Sequence, residues 1–162
     1  MAKITRFEDL ICWQKAKSLV KLIYRLTKEG PFSKDYPLRD QIRRAAISSM
    51  TNIAEGFSRF HKKDFIRFLD ISQSSIEKVK SLLYIALDQE YFTEEIFREL
   101  ETLIDDTKKT TLGLLRHVKS TIDEKPNKVR EPKAEYKTKL SDEFLDLPEE
   151  FIHAKNQITL TR

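Results

Sequence analysis

The chain has 162 residues, 40% of them hydrophobic and 35% charged, with a formal net charge of +4. That suits one domain with a real core and a solvated exterior. A single cysteine, Cys12, excludes an internal disulfide, no apolar leader follows Met1, and no apolar run approaches a membrane span, so a cytoplasmic protein is expected.

Apolar residues at steps of three and four predict a first helix over residues 7–29. Its stripe is Cys12, Ala16, Leu19, Ile23 and Leu26, flanked by Trp13, Val20 and Tyr24. Cys12 reads there as a small buried hydrophobe rather than a nucleophile. Gly30-Pro31 is the expected stop. Pro37 suits a first helical turn, and Leu38, Ile42, Ala45, Ser49, Ile53 and Gly56 then share one face of a second helix. Gly56 is expected to end it. The small residues Ala45, Ala46, Ser48 and Ser49 let backbones approach closely, which predicts a central place in a bundle.

Asn52 and Glu55 fall where that apolar face should continue. Buried polar groups cost free energy unless hydrogen-bonded. The expectation is a structural polar layer of Asn52 and Glu55 with Ser74 and Glu77 of the next helix, Arg43 and Arg44 being other available partners. The plain alternative is a frayed helix end.

A third helix is predicted over residues 62–89, with Phe65, Leu69, Ser72, Ile76, Val79, Leu83 and Ala86 repeating every 3.5 residues on average. That period argues for lengthwise, shallow-angle packing. Tyr91-Phe92 form the next turn, and Thr93 is a good N-cap with Glu94 and Glu95 behind it. A fourth helix carries Ile96, Leu100, Leu103, Thr107, Thr111, Leu114, Val118 and Ile122. Its stripe is diluted by the two threonines and interrupted by Gly113.

The expected fold is therefore all-α: an up-down antiparallel four-helix bundle over residues 1–122, followed by a charged, flexible tail over 123–162. Within the tail, residues 123–139 are charged and proline-bearing and read as a disordered linker. Residues 140–153 recover Leu140, Phe144, Leu145, Leu147, Phe151 and Ile152 among acids, the pattern of a short acidic docking motif or weak helix.

Several blocks carry a resemblance. Trp13-x-x-Ala16, Gln41-Ile42-Arg43-Arg44-Ala45-Ala46, Ser48-Ser49, Asn52-Ile53-Ala54-Glu55-Gly56, Phe65-x-x-Phe68-Leu69, Ser74-Ser75-Ile76-Glu77 and Tyr91-Phe92 stand in order. Together they resemble the bacterial four-helix bundle protein family, also called the 23S rRNA intervening-sequence protein family, over roughly residues 7–121. Met50 and Ser74 stand where that family usually has a proline and a glycine, and both changes favour straighter helices. The resemblance implies a ring-like homo-oligomer, a pentamer in particular. The family's name is a genomic address and not an activity.

Catalytic patterns fail one by one. Ferritin-like di-metal centres need two Glu-x-x-His motifs, and the one match, Glu150-x-x-His153, lies in the tail. Bundle RNases of the HEPN type carry an arginine five to seven residues before a histidine, and His61, His117 and His153 all lack it. With three glycines there is no phosphate cradle, and no serine nucleophile motif or zinc cysteine pair is present. No enzymatic activity and no cofactor are expected.

Basic and aromatic residues do interleave between Phe57 and Arg67. Arg59, Lys62, Lys63 and Arg67, with Arg39, Arg43 and Arg44, are the candidate phosphate ligands, and exposed rings there could stack unpaired bases. The favoured expectation is an oligomeric RNA- or DNA-binding accessory protein. The competing one is an interaction scaffold whose acidic tail docks a protein partner or another subunit.

Overall fold

The structure, a computed structural model, describes residues 2–123 and 146–152. Four helices dominate it: α1 (Ile11–Leu26), α2 (Tyr36–Ser58), α3 (Lys62–Asp88) and α4 (Glu94–Asp123). Each packs along the next and α4 closes back on α1, giving the up-down antiparallel bundle that the periodicity predicts.

The core has two apolar halves. One gathers Leu19, Ile23, Phe32, Ile42, Val79, Leu83, Leu100 and Ile104. The other gathers Leu10, Cys12, Ala16, Ile53, Phe57, Phe65, Leu69, Leu114 and Val118. Ser49, Ser72, Thr107 and Thr111, all fully buried, are its buried polar side chains along α2, α3 and α4. Ser49 Oγ donates to the Ala46 carbonyl at 2.7 Å, Ser72 Oγ to the Ser49 carbonyl at 2.6 Å, and Thr107 and Thr111 to the carbonyls of Leu103 and Thr107. Each buried hydroxyl is therefore satisfied by backbone, which is why threonine is tolerated within the α4 stripe.

Helix boundaries differ from expectation where side chains take over from propensity. A 3₁₀ turn over Phe7–Asp9 and an extended Leu10 (φ −74°, ψ 125°) precede α1, because Leu10 turns into the core and is fully buried. Helix α1 stops at Leu26, short of Gly30-Pro31. Gly30, at φ 68°, instead leads into the 3₁₀ turn Pro31–Lys34, whose Phe32 stacks on Tyr91 at 4.9 Å. Asp35 ties this corner together: one carboxylate oxygen accepts from the Leu38 amide at 3.1 Å and the other from the Tyr91 hydroxyl at 3.0 Å.

Gly56 does not end α2, which runs on to Ser58. A Cβ placed at Gly56 would stand 2.6 Å from the Phe68 Cβ and 3.0 Å from the Phe65 ring. The glycine is there for close approach of α3 to α2.

The tail returns to the bundle. Ala2–Lys3 (β1) pairs antiparallel with Asp146–Leu147 (β2), a 3₁₀ turn follows over Glu149–Phe151, and Ile152 bridges to Leu10. Leu147 is buried in the second half of the core, with Phe151 and Ile152 packed against it. These residues of the expected docking motif are extended and 3₁₀ rather than helical, and they lie on their own chain. The rest of that motif (140–145 and 153), the linker at 124–139 and the end of the chain lie outside the described residues.

Candidate nucleic-acid interface

The residues expected to form one polar layer are distributed differently. Asn52 is half-buried and its Nδ2 donates to the Ser48 carbonyl at 2.8 Å and to Ser48 Oγ at 3.0 Å. Ser48 Oγ in turn meets Ser75 Oγ at 2.9 Å, so Ser75 and not Ser74 completes the link to α3. Ser74 is exposed and bonds back to the Asp70 carbonyl. Glu55 points to solvent and pairs with Arg59 at 2.7 Å, and Glu77 is likewise exposed and pairs with Lys108 of α4. A one-residue step on a helix turns a side chain by about 100°, which separates Ser75 from Ser74.

The seven candidate cations fall into two groups at opposite ends of α2, because Arg39 lies in its first turn and Arg59 just beyond its last. Twenty residues of helix separate the two by about 30 Å. At the first end, Arg43 Nε donates to Thr27 Oγ1 at 2.7 Å and Nη2 to the Thr27 carbonyl at 2.8 Å, with the guanidinium over the Tyr24 ring at 4.6 Å. Arg39 lies over Tyr36 at 4.6 Å and bonds Asp40 and the Ser33 carbonyl. Both arginines close the α1–α2 corner, and their donors are largely engaged there. Arg44 is exposed on the next face of α2.

The other end is more open. Arg59 and Arg67 flank the Phe68 ring at 5.5 and 5.6 Å, Lys63 is exposed, and Lys62 Nζ donates to Thr121 Oγ1 of α4 at 3.0 Å. Phe57 and Phe65 are core, meeting edge to face at 6.2 Å. Phe60 is not: the residue is 48% exposed, and its backbone is left-handed at φ 55°. A bulky side chain seldom adopts that conformation, and it turns the ring outward at the tip between α2 and α3. Composition alone gives no sign that Phe60 differs from its two neighbours. The sign is its position between helix end and helix start, where one residue must reverse the chain.

Cys12 is buried, and its thiol is pushed up to about 12 by desolvation, so it is an inert core group. Among the described residues no three His, Cys, Asp or Glu side chains gather as a metal site, and no helix is long and apolar enough to cross a membrane.

A sequence profile described as 23S rRNA-intervening sequence protein matches residues 8–113. The chain belongs to that family. A crystal structure from Bacteroides thetaiotaomicron, described as a protein with unknown function from the S23 ribosomal protein family, has a similar fold. The TM-score is 0.56 at 23% identity, covering 65% of this chain and 98% of that one. No curated protein matches. The family match covers the bundle from before α1 to two thirds of the way along α4 and stops short of the 146–152 segment.

Proposed function

We infer that this member of the 23S rRNA-intervening sequence protein family is a non-catalytic, self-associating protein of the cytoplasm that binds RNA at the α2–α3 end of its bundle. The observation that carries the reading is Phe60, an exposed residue on a left-handed backbone, with Arg59, Lys62 and Lys63 within three residues of it along the chain and Arg67 one turn further into α3. Stacking on such a ring captures an unpaired base whatever its sequence, while the cations take the flanking phosphates. The family's description makes RNA the first ligand to try, with single-stranded DNA as the comparison.

A net charge of +4 is modest for a nucleic-acid binder. Self-association answers this, since a ring of five copies would repeat one weak patch around an axis and gain through multivalency. Exposed Ile71, Tyr84, Ile85 and Ile96 offer apolar surface for such contacts. The scaffold alternative draws on the acidic tail, whose Leu147, Phe151 and Ile152 pack against their own bundle in this structure.

Fluorescence anisotropy against structured RNA and single-stranded DNA, titrated across salt, tests the reading. Affinity falling steeply with salt, with a slope reduced in Lys62→Gln/Lys63→Gln, supports it. No binding at low salt refutes it.

A further inference from the structure

The tail segment and the basic end share one stripe of α4. Gly113, His117 and Thr121 succeed one another at steps of four, hence on one helix face. Phe151 sits on the first two: its ring is 3.2 Å from where a Gly113 Cβ would be and 5.4 Å from the His117 ring. Lys62 bonds the third, Thr121. One helical turn, a rise of about 6 Å, separates His117 from Thr121 along this stripe. A bound strand of a few nucleotides spans that distance.

The segment is acidic. Glu149 and Glu150 precede Phe151 and are exposed, and no lysine or arginine occurs between positions 141 and 152. Its hold is also slight: a two-residue strand pairing, one isolated bridge, one buried anchor (Leu147) and three half-buried residues (Pro148, Phe151 and Ile152). Segments attached by so few buried contacts open at a free energy far below that of global unfolding.

We propose that residues 146–152 form a displaceable acidic strap that competes with RNA for the basic α2–α3 end of the same chain. Docked, Glu149 and Glu150 set negative charge beside the path of a strand bound at Phe60 and Lys62. The strand either runs against that field or displaces the strap from Gly113 and His117. The repulsion is strongest at low ionic strength and weakens toward physiological salt, where the Debye length is about 8 Å. Gly113 acquires a role here: it is the seat of Phe151 rather than a flaw in the α4 stripe.

The proposal rests on the RNA reading above, and its test separates the two. Full-length wild-type protein, Glu149→Gln/Glu150→Gln and Phe151→Ala are titrated with a labelled single-stranded oligouridylate at low and high salt. Hydrogen exchange at residues 146–152 reports whether the strap is docked. Both variants should bind roughly two- to tenfold more tightly at low salt, as expected for the loss of a few exposed charge interactions, and the gain should shrink at high salt. Added oligouridylate should speed exchange of the wild-type strap. Equal affinities in all three proteins, with the strap shown to be released in Phe151→Ala, overturn the strap and leave the RNA reading standing. Absence of binding in every protein, released strap included, overturns both. Should Phe151→Ala unfold, the charge variant, altered only at exposed residues, decides alone.

Discussion

Arg43 holds Thr27 by both of its oxygens, donating from Nε to the hydroxyl at 2.7 Å and from Nη2 to the carbonyl at 2.8 Å. Thr27 is fully buried and ends α1, so the guanidinium satisfies a helix terminus that would otherwise bury an unpaired carbonyl. Arg43→Ala should therefore cost about 1.5–3 kcal/mol of stability, the range for hydrogen bonds to a charged group. Arg43→Lys should recover only part of it, because an ammonium lacks the two-pronged fork. Urea unfolding measures this. An Arg43→Ala protein with wild-type stability would return the residue to the list of phosphate ligands.

The two helical glycines predict opposite outcomes. Ala at position 56 drives a methyl against the Phe68 Cβ at 2.6 Å, an atom that cannot move without its backbone. The overpacking cost of about 1–3 kcal/mol should exceed the gain of about 1 kcal/mol in helix propensity. Ala at position 113 meets only the edge of the Phe151 ring at 3.2 Å, which belongs to a loosely held segment. Gly113→Ala should leave the bundle as stable or slightly more so, while hydrogen exchange at residues 146–152 quickens. Equal midpoints for the two variants in urea would contradict the assignment.

The proposed role of Phe60 predicts effects on both stability and binding. Relief of its left-handed backbone, which costs about 1–2 kcal/mol for an L-residue, should offset part of what Phe60→Gly loses in side-chain burial and in the entropy of glycine, so that Phe60→Gly is more stable than Phe60→Ala. Loss of the ring should weaken oligouridylate binding by about 1–3 kcal/mol, the usual worth of one stacked base. A variant that binds as tightly as the wild type would remove the ring from the site.

The buried Cys12 thiol should contribute to a loss of stability at alkaline pH. Burial raises its pKa from 9.0 to about 12, so the folded chain keeps a proton that the unfolded chain releases. That contribution is whole below pH 9.0 and drains away as pH climbs toward about 12. Lys80, raised by hydrogen bonds to Asp105 and Glu101, and Tyr91, raised by its hydrogen bond to Asp35, act with the same sign. Cys12→Ala should flatten the fall in urea midpoint between those limits without abolishing it, whereas an unchanged slope would place the loss in the other two groups. Thiol reagents should label the wild-type cysteine only at the rate of opening.

What the sequence by itself determined is the bundle. Steps of three and four through Leu19, Ile42, Ile76 and Leu100 define apolar stripes that bury well only against one another, and proline stays away from the interior of the long helices. The family was legible in the same blocks. What only the tertiary structure decided are the contacts between stripes, where a single residue of register matters. It paired Ser48 with Ser75 instead of Ser74, turned Glu55 and Glu77 to solvent, and placed Arg43 on Thr27 far from Arg59. It also brought Phe151 onto Gly113, across a separation in sequence that no local period can encode. Periodicity reports which face of a helix leaves water, because burial is non-directional and sums along the helix. Hydrogen bonds and close approaches are directional and pairwise, so they exist only once the helices have met.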